Sequence, residues 1–300
     1  MNEAPRSGHH RVIAELRSAA EGCARGASAR DAGPRWPSRL GQIDAVLPVT
    51  LIGLIALFFV VPGTIAHKSH LLLHGLCAQR PSHSLVLGGN ILPFDARMTG
   101  IYGGFAVAFA FLVWRRRLWA FQVPPLTVMF GLGMFVAMMG LDGANSLLVD
   151  LGLPHPYQPD NRLRLATGLL TGSALAVALC FLLAATLWRT GDWTGKTVHD
   201  SRELLMITAL QVPFAVVALS GVGGFYPVMV ILLVGSAVTV VASMVLVVVL
   251  LLRRSDRSFE HLAEARRMVL LAVVAALVVM AGLSWGRVWL ERTLGMSSFI

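Results

Sequence analysis

Metal-binding side chains are concentrated just after the first long apolar segment, in the stretch "HKSHLLLHGLC". If this stretch is helical, its histidines and Cys77 follow one another at spacings of three and four residues and share one face. The whole set spans about 15 Å at a rise of 1.5 Å per residue, so only neighbouring pairs can share one ion. The feasible pairs are His70 with His74 and His74 with Cys77, with Asp95 or His83 as a third ligand. The alternative is a hydrated interfacial segment that binds no metal.

Two helix entrances carry a further polar pattern. The segment "LPFDARMTGIYGG" places Asp95 where it can cap the next helix and meet its positive end. Gly100 and Gly104 follow as a G-x-x-x-G pair, and "LRLATGLLTGSA" repeats the pattern with Gly168 and Gly172. Because such glycines let two helices approach closely, the pattern predicts that the second and fourth membrane spans pack side by side.

Charged and amide side chains surround the ends of the third and fourth apolar segments. They are Asp142, Asn145, Asn161 and Arg164. Charges at membrane depth are costly unless they are paired, so these residues are candidates for function. The structural alternative is that Asp142 forms an ion pair with Arg97 or Arg164 and locks three helices together.

The elements that position these residues are long apolar segments. The 300-residue chain is 56% hydrophobic and 14% charged, with a mean hydropathy of +0.70, which indicates a membrane protein rather than a soluble domain. We predict an all-α, polytopic transmembrane helix bundle with about seven spans. The predicted spans are 45–66, 98–114, 121–141, 165–188, 203–220, 225–252 and 268–290. In the fifth, Gln211 and Pro213 predict a kink.

The distribution of basic residues predicts the orientation. With the N-terminus inside, 18 of the 25 lysines and arginines lie in cytoplasmic segments, which favours an N-in, C-out arrangement in the inner cell membrane. The histidine-rich loop and the loop before the fourth span then share the outer face. Residues 1–43 are predicted to be a disordered basic cytoplasmic tail. Residues 44–300 form the predicted transmembrane domain, with a motif-bearing half (67–172) and additional helices (203–290).

Several functional classes are disfavoured by the sequence. The net charge of +9 is spread over the tail and short loops, without a basic groove interleaved with aromatics, so we predict no nucleic-acid partner. Three scattered cysteines are too few for a disulfide framework. No P-loop, dinucleotide fingerprint, zincin motif or nucleophile elbow is present in the sequence.

The ordered motifs "HGLCAQRPSHS", "LPFDARMTGIYGG", "LDGANS" and "NRLRLATG" resemble the predicted-membrane-protein family called domain of unknown function 2085, over about residues 70–172. The family's two cysteines in its Cys-x-x-Cys motif are replaced here by Asp95 and Met98, and its histidine after the first cysteine by Ala78. The resemblance implies a membrane fold but no established activity. The matched positions are Cys77, Gln79, Pro81, Ser84, Arg97, Thr99, Gly100, Tyr102, Asp142, Gly143, Asn161, Arg164, Thr167 and Gly168.

Three functions stay open at this point. The first is an outward-facing polar site that binds a ligand or a divalent metal. The second is a membrane-embedded enzyme for a lipid-linked or anionic substrate, held by Arg97, Arg162 and Arg164 with Asp142 or a histidine moving protons. The third is a structural subunit of a membrane complex. Lipid is the expected surrounding, and a membrane-protein partner or a homo-oligomer is the expected form of association. The predicted binding residues are Gln79, Arg97, Thr99, Tyr102, Asp142, Asn161 and Arg164, and the predicted metal ligands are His74, Cys77 and Asp95.

Overall fold

The computed structural model of the protein describes residues 53, 60, 62–189, 192–253, 257–260 and 262–295. The predicted tail (1–43) and most of the predicted first span (45–66) lie outside these residues. In the described part the chain is mainly helical, as predicted. The helices are α1 (Ile65–Leu73), α2 (Ala96–Trp114), α3 (Leu126–Asp150), α4 (Asn161–Leu187), α5 (Ser201–Leu210), α6 (Val212–Leu219), α7 (Tyr226–Leu252) and α8 (Leu262–Thr293). The strands are β1 (Ser84–Leu87), β2 (Asn90–Asp95), β3 (Ala120–Gln122) and β4 (Asp192–Lys196).

Six helical segments of the described chain are long and apolar enough to cross a bilayer. They are 96–114, 126–150, 161–187, 201–219, 223–252 and 263–293. These segments confirm the prediction of a polytopic α-helical bundle, and they correspond to the second through seventh predicted spans. Apolar side chains such as Phe130 and Leu141 on α3 are exposed in the isolated chain, as expected for residues that face lipid.

The third predicted span (121–141) is wrong in its bounds. Residues 120–122 form β3, which pairs with β4, and the helix begins only after Pro125. Two consecutive prolines explain the late start, since the residue before a proline avoids helical backbone angles. The helix then continues to Asp150, so Asp142 and Asn145 lie inside α3 rather than in the loop after it.

The predicted helical stripe of histidines is also only partly correct. Helix α1 ends at Leu73, and His74 is its C-terminal cap. The chain then turns away, so Cys77 does not lie on the helical face that His67 and His70 share. Because the helix ends at Leu73, helical spacing no longer determines whether His74 and Cys77 are close enough to share a metal ion.

Helices α2 and α4 pack closely along their glycines, as predicted. A methyl group added to Gly100 would overlap the backbone of Leu165 and Gly168. One added to Gly172 would overlap the backbone of Ile101. The two helices therefore run parallel at a separation that only glycine allows, which brings their N-terminal ends together.

The predicted kink in the fifth span is confirmed at Gln211, where α5 ends and α6 begins. The side chain of Gln211 is buried, and its Nε2 donates to Ser173 Oγ (2.6 Å) and to Gly104 O (3.4 Å). These bonds satisfy the amide inside the bundle, and they fasten the kink to α2 and α4.

A short antiparallel hairpin of β1 and β2 precedes α2. Its turn uses Gly88 and Gly89, both with positive φ, which a two-residue hairpin turn requires. The buried face of β2, with Leu92 and Phe94, belongs to the main apolar core. The hairpin therefore sets the position of Asp95, which ends β2 and caps α2 through a bond from Met98 N to its Oδ1 (2.8 Å). This cap was predicted.

Candidate ligand-binding site

A cavity of about 230 Å³ lies where the loop after α1, the start of α2, the end of α3 and the start of α4 meet. Three arginines, one histidine and two aspartates are among the residues that line it. The lining residues are Ala78, Arg80, His83, Asp95, Arg97, Gly143, Ser146, Leu147, Asp150 and Arg164. The predicted binding residues Arg97 and Arg164 thus share one cavity with Asp95, which was predicted as a metal ligand.

Arg97 links α2 to α3. Its Nη2 donates to Asp142 Oδ2 (2.5 Å) and to Ser146 Oγ (3.2 Å). The second oxygen of Asp142 accepts from the hydroxyl of Tyr157 (2.9 Å), so this buried carboxylate is satisfied on both sides. Arg97 Nε is buried and has no hydrogen-bond partner. The arginine is therefore paired in charge but keeps one free donor.

Arg164 is the most buried cation of the cavity, at 7% exposure. Its Nη1 donates to Asn161 Oδ1 (2.9 Å), and its Nη2 has a long bond to Ser146 Oγ (3.5 Å). Both partners are neutral, and no carboxylate of the described residues lies within ion-pairing distance of the guanidinium. A buried charge without a counter-ion costs several kcal/mol.

The rim of the cavity is closed by contacts between loops and helices. Arg80 and Asp150 form a half-exposed ion pair (2.7 Å) that connects the loop after α1 to the end of α3. Asn161 Nδ2 donates to Ser82 O (3.2 Å) and holds the same loop against α4. The two loops that were predicted to share one face therefore do meet at one end of the bundle.

His83 also lines the cavity, and its imidazole is a group that ordinarily titrates near neutral pH. Burial, and then the positive charge of Arg164, lower the pKa of the imidazole below its ordinary value of 6.5. Asp150 and Asp95 act in the opposite direction but do not outweigh these effects. The imidazole is therefore neutral at pH 7 and leaves the charge of the cavity to the arginines and aspartates.

Tyr157 contacts the Arg97–Asp142 pair through its hydroxyl, which donates to Asp142 Oδ1. Burial and its hydrogen bond to Asp142 raise the pKa of the phenol above its ordinary value of 10.0. The phenol therefore stays protonated and remains a donor. Asn145 Nδ2 donates to the carbonyl of Tyr157 (2.8 Å), which fixes the loop that carries the tyrosine.

His74 lies in a separate buried cluster. Its Nδ1 donates to Gln79 Oε1 (3.1 Å), because the Gln79 amide nitrogen is already committed to the carbonyls of His70 and Pro93. Its Nε2 lies 3.0 Å from Glu291 Oε2 on α8. Both ring nitrogens thus face acceptors, so a metal ion at His74 would have to displace one of these bonds.

Cys77 and Asp95 adjoin this cluster without completing a ligand set. Cys77 Sγ accepts from the backbone N–H groups of Gln79 and Asp95, each at 3.4 Å. Burial raises the pKa of the thiol to about 11, so the thiolate that a metal would bind is disfavoured. Within the residues that the structure describes, no three His, Cys, Asp or Glu side chains are placed to hold one ion. A metal at His74, Cys77 and Asp95 stays a prediction.

The remaining predicted binding residues belong to the framework beside the cavity. Gln79 joins α1, the hairpin and His74, as described above. Thr99 is fully buried and donates to Phe94 O (3.3 Å), and Tyr102 stacks on Phe94 with ring centroids 4.6 Å apart. None of these three side chains lines the cavity. Arg162, proposed as an anion ligand, is exposed and does not line it either.

Sequence reasoning missed several residues of the site. Arg80, Ser146 and Asp150 line the cavity but were not predicted as binding residues. Ser146 lies one helical turn after Asp142 on the same face of α3, and this spacing was a usable signal. Glu291, in the separate cluster around His74, had no such sequence signal, because it lies 217 residues from His74 in the chain.

The apolar helices and the polar cavity at one end of the bundle define a multi-pass membrane protein. Comparison with protein families agrees: residues 77–178 match the model of a family described as "Predicted membrane protein (DUF2085)". This match confirms the resemblance seen in the motifs, and the matched segment contains all the residues that line the cavity. Helices α5 to α8 lie outside it. No curated protein and no solved structure matches the chain.

Proposed function

We propose that this membrane protein binds a ligand with a phosphate group in the cavity between α2, α3 and α4. The observation that carries the proposal is Arg164, a buried guanidinium in the cavity wall that has no carboxylate partner among the described residues. The unsatisfied Nε of Arg97, in the same wall, offers a further donor.

The chemistry of arginine supports an oxyanion in particular. The guanidinium presents its donors in a planar fork that matches two oxygens of a carboxylate or phosphate. Charge-assisted bonds of this kind contribute about 1.5–3 kcal/mol each. A ligand oxyanion would neutralise Arg164, and it would do so where Ser146 and Asn161 already hold the guanidinium in place.

We further propose that the cavity opens on the outer face of the inner cell membrane, with the N-terminus inside. The excess of lysine and arginine in the segments then assigned to the cytoplasm supports this orientation. An external cavity would receive its ligand from the outer leaflet or from the surrounding water.

Arg164→Gln tests the binding function, with Arg162→Gln as the matched control, because Arg162 lies on the same helical turn but is exposed. Full-length protein in detergent is titrated with phosphatidylethanolamine, phosphatidylglycerol and diacylglycerol of identical acyl chains, and binding is followed by native mass spectrometry. Glycerol phosphate and O-phosphoethanolamine serve as water-soluble probes in calorimetry. We expect a phosphate-bearing probe to bind saturably, and Arg164→Gln to weaken it about tenfold or more, the effect of losing one charged hydrogen bond.

The control variant should bind as the wild type does. Arg164→Lys, which keeps the charge, guards against misfolding and should retain part of the affinity. The proposal fails if the phosphate-bearing probes do not bind, or if they bind no more tightly than diacylglycerol. It also fails if folded Arg164→Gln binds the probe as tightly as the wild type does.

A further inference from the structure

We propose that the ligand is zwitterionic: a phosphate joined through a short linker to a primary ammonium group, as in an ethanolamine phosphate headgroup. This inference rests on the proposed function and names the chemical class of its ligand. It follows from the charges that line the cavity and from how the chain pairs them.

Two charges of opposite sign in the cavity wall lack a charged partner in the described chain. Arg97 is paired with Asp142, and Arg80 with Asp150. Arg164 bonds only to neutral groups. Asp95 accepts a backbone bond from Met98 and has no basic side chain within ion-pairing distance in the described structure. One cation and one carboxylate therefore face the same cavity unneutralised.

The overall charge of the site favours a neutral ligand with separated charges. The charges of Arg80, Arg97 and Arg164 are balanced by Asp95 and Asp150 in the wall and by Asp142, which pairs with Arg97. A simple anion would neutralise Arg164 but leave Asp95 facing a second negative charge. A phosphate at Arg164 with an ammonium group at Asp95 satisfies both, because the buried guanidinium and the partly buried carboxylate then each have a charged partner.

The position of the cavity favours a lipid headgroup as one source of this chemistry. The cavity lies at the ends of three candidate spans, which is the depth of lipid phosphates in a bilayer. On the α3 side it is bordered by Leu147, an apolar side chain that is largely exposed and suited to contact an acyl chain. A soluble phosphoethanolamine compound has the same charged groups and would reach the cavity from water.

The experiment compares matched probes that differ by the ammonium group. Full-length protein is titrated with phosphatidylethanolamine and phosphatidylglycerol of identical acyl chains, and separately with O-phosphoethanolamine and glycerol phosphate. In at least one pair we expect the ammonium-bearing member to bind about tenfold more tightly, the contribution of one charged hydrogen bond. Preference in the lipid pair identifies a bilayer lipid as the source, and preference in the soluble pair a ligand from water. Both results support the proposal.

Asp95→Asn is the decisive variant, because asparagine caps a helix as well as aspartate does but carries no charge. It should abolish the preference for the ammonium while leaving phosphate binding in place. Asp160→Asn is the matched control, since Asp160 caps α4 in the same way but is exposed and outside the cavity. Asp95→Ser also retains a cap and serves as a second test should the first variant fold poorly.

The possible failures can be told apart. Equal binding of the two members in both pairs, or a preference that survives in folded Asp95→Asn and Asp95→Ser, overturns the zwitterionic ligand but leaves the phosphate site standing. Absence of binding by every phosphate-bearing probe overturns the proposed function together with this inference.

Discussion

At the scale of single residues, the Arg97–Asp142 ion pair determines which arginine of the cavity keeps its charge without a counter-ion. The cost of an unpaired charge at membrane depth predicted that Asp142 would pair with Arg97 or Arg164. The structure selects Arg97, and this selection leaves Arg164 without a counter-ion. The spacing in the sequence could not show which arginine pairs with Asp142, because the pairing depends on how α3 packs against α2 and α4.

His83 allows a prediction about pH. Its pKa is lowered, so the folded protein keeps the imidazole neutral at pH 7 and protonates it only as the pH falls below about 6.5. Protonation adds a positive charge beside Arg164 and Arg80, with Asp150 and Asp95 facing it. Binding of phosphatidylglycerol, whose phosphodiester keeps its single charge over this range, should therefore strengthen as the pH falls from 7 to 5.

Native mass spectrometry of phosphatidylglycerol binding at several pH values measures this effect, because the single charge of a phosphodiester does not change in this range, whereas a phosphate monoester titrates at about pH 6. His83→Gln should flatten the dependence across that range, whereas His155→Gln, in an exposed loop position that does not line the cavity, should not. If ligand binding by His83→Gln still changes with pH as it does in the wild type, another group causes the pH dependence.

The same shift in His83 has a consequence for stability, with its sign fixed by the direction of the shift. A histidine whose pKa is lower in the folded state than in the unfolded state favours folding above the unfolded value. That contribution declines as the pH falls below about 6.5. Protonation of His83 at low pH is thus expected to lower the thermal stability and to strengthen ligand binding, and the two effects can be measured separately.

At the scale of the elements, apolar length and helix caps were predictable, whereas short strands were not. Helix α2 begins directly after Asp95, whose side-chain cap was predicted, and α4 begins after Asp160, whose cap was not predicted. Strand β3 has three residues and depends on pairing with β4, about 70 residues away, so no local pattern marks it. The residues "GGN" of the hairpin turn are a local signal for β1 and β2, because a glycine pair favours a two-residue hairpin turn.

The glycine contact between α2 and α4 gives a second prediction. Gly168→Ala should destabilise the protein by about 1–3 kcal/mol, the usual cost of overpacking, because the added methyl group would overlap the backbone of Arg97 and Gly100. Since α2 and α4 carry Arg97 and Arg164, the variant should also weaken binding of the phosphate-bearing probe.

Thermal unfolding in detergent measures the first effect. Gly133→Ala in α3 is the matched control, because nothing lies within 4 Å of the added methyl group, and alanine favours a helix over glycine by about 1 kcal/mol. If Gly168→Ala proved as stable as Gly133→Ala, the two helices would not be packed as described.

At the scale of the whole molecule, helices outside the matched family segment support the cavity. Arg287 on α8 donates to the carbonyls of His74 (2.7 Å) and Ala78 (3.3 Å), and also to that of Cys77. Helix α7 contributes Tyr226, whose hydroxyl contacts Ile91 O in the hairpin (3.4 Å). These contacts join parts of the chain more than 130 residues apart, and sequence periodicity carries no information about them.

The orientation of the whole chain in the membrane is a separate prediction. Cysteines introduced at positions 83 and 155, in a variant whose native cysteines are replaced, should both react with a membrane-impermeant maleimide added outside intact cells. A cysteine at position 199, placed by the basic-residue count on the cytoplasmic side, should react only after permeabilisation. Labelling of 83 and 155 from opposite sides would exclude a shared cavity.

The ratio of dissociation constants between Arg164→Gln and Arg162→Gln measures whether the buried Arg164 guanidinium binds the oxyanion of the ligand. Measured for the tightest phosphate-bearing probe on folded, full-length protein, the ratio should be about ten or more, with Arg164→Lys falling between. A ratio of about one would show that the ligand does not bind to Arg164.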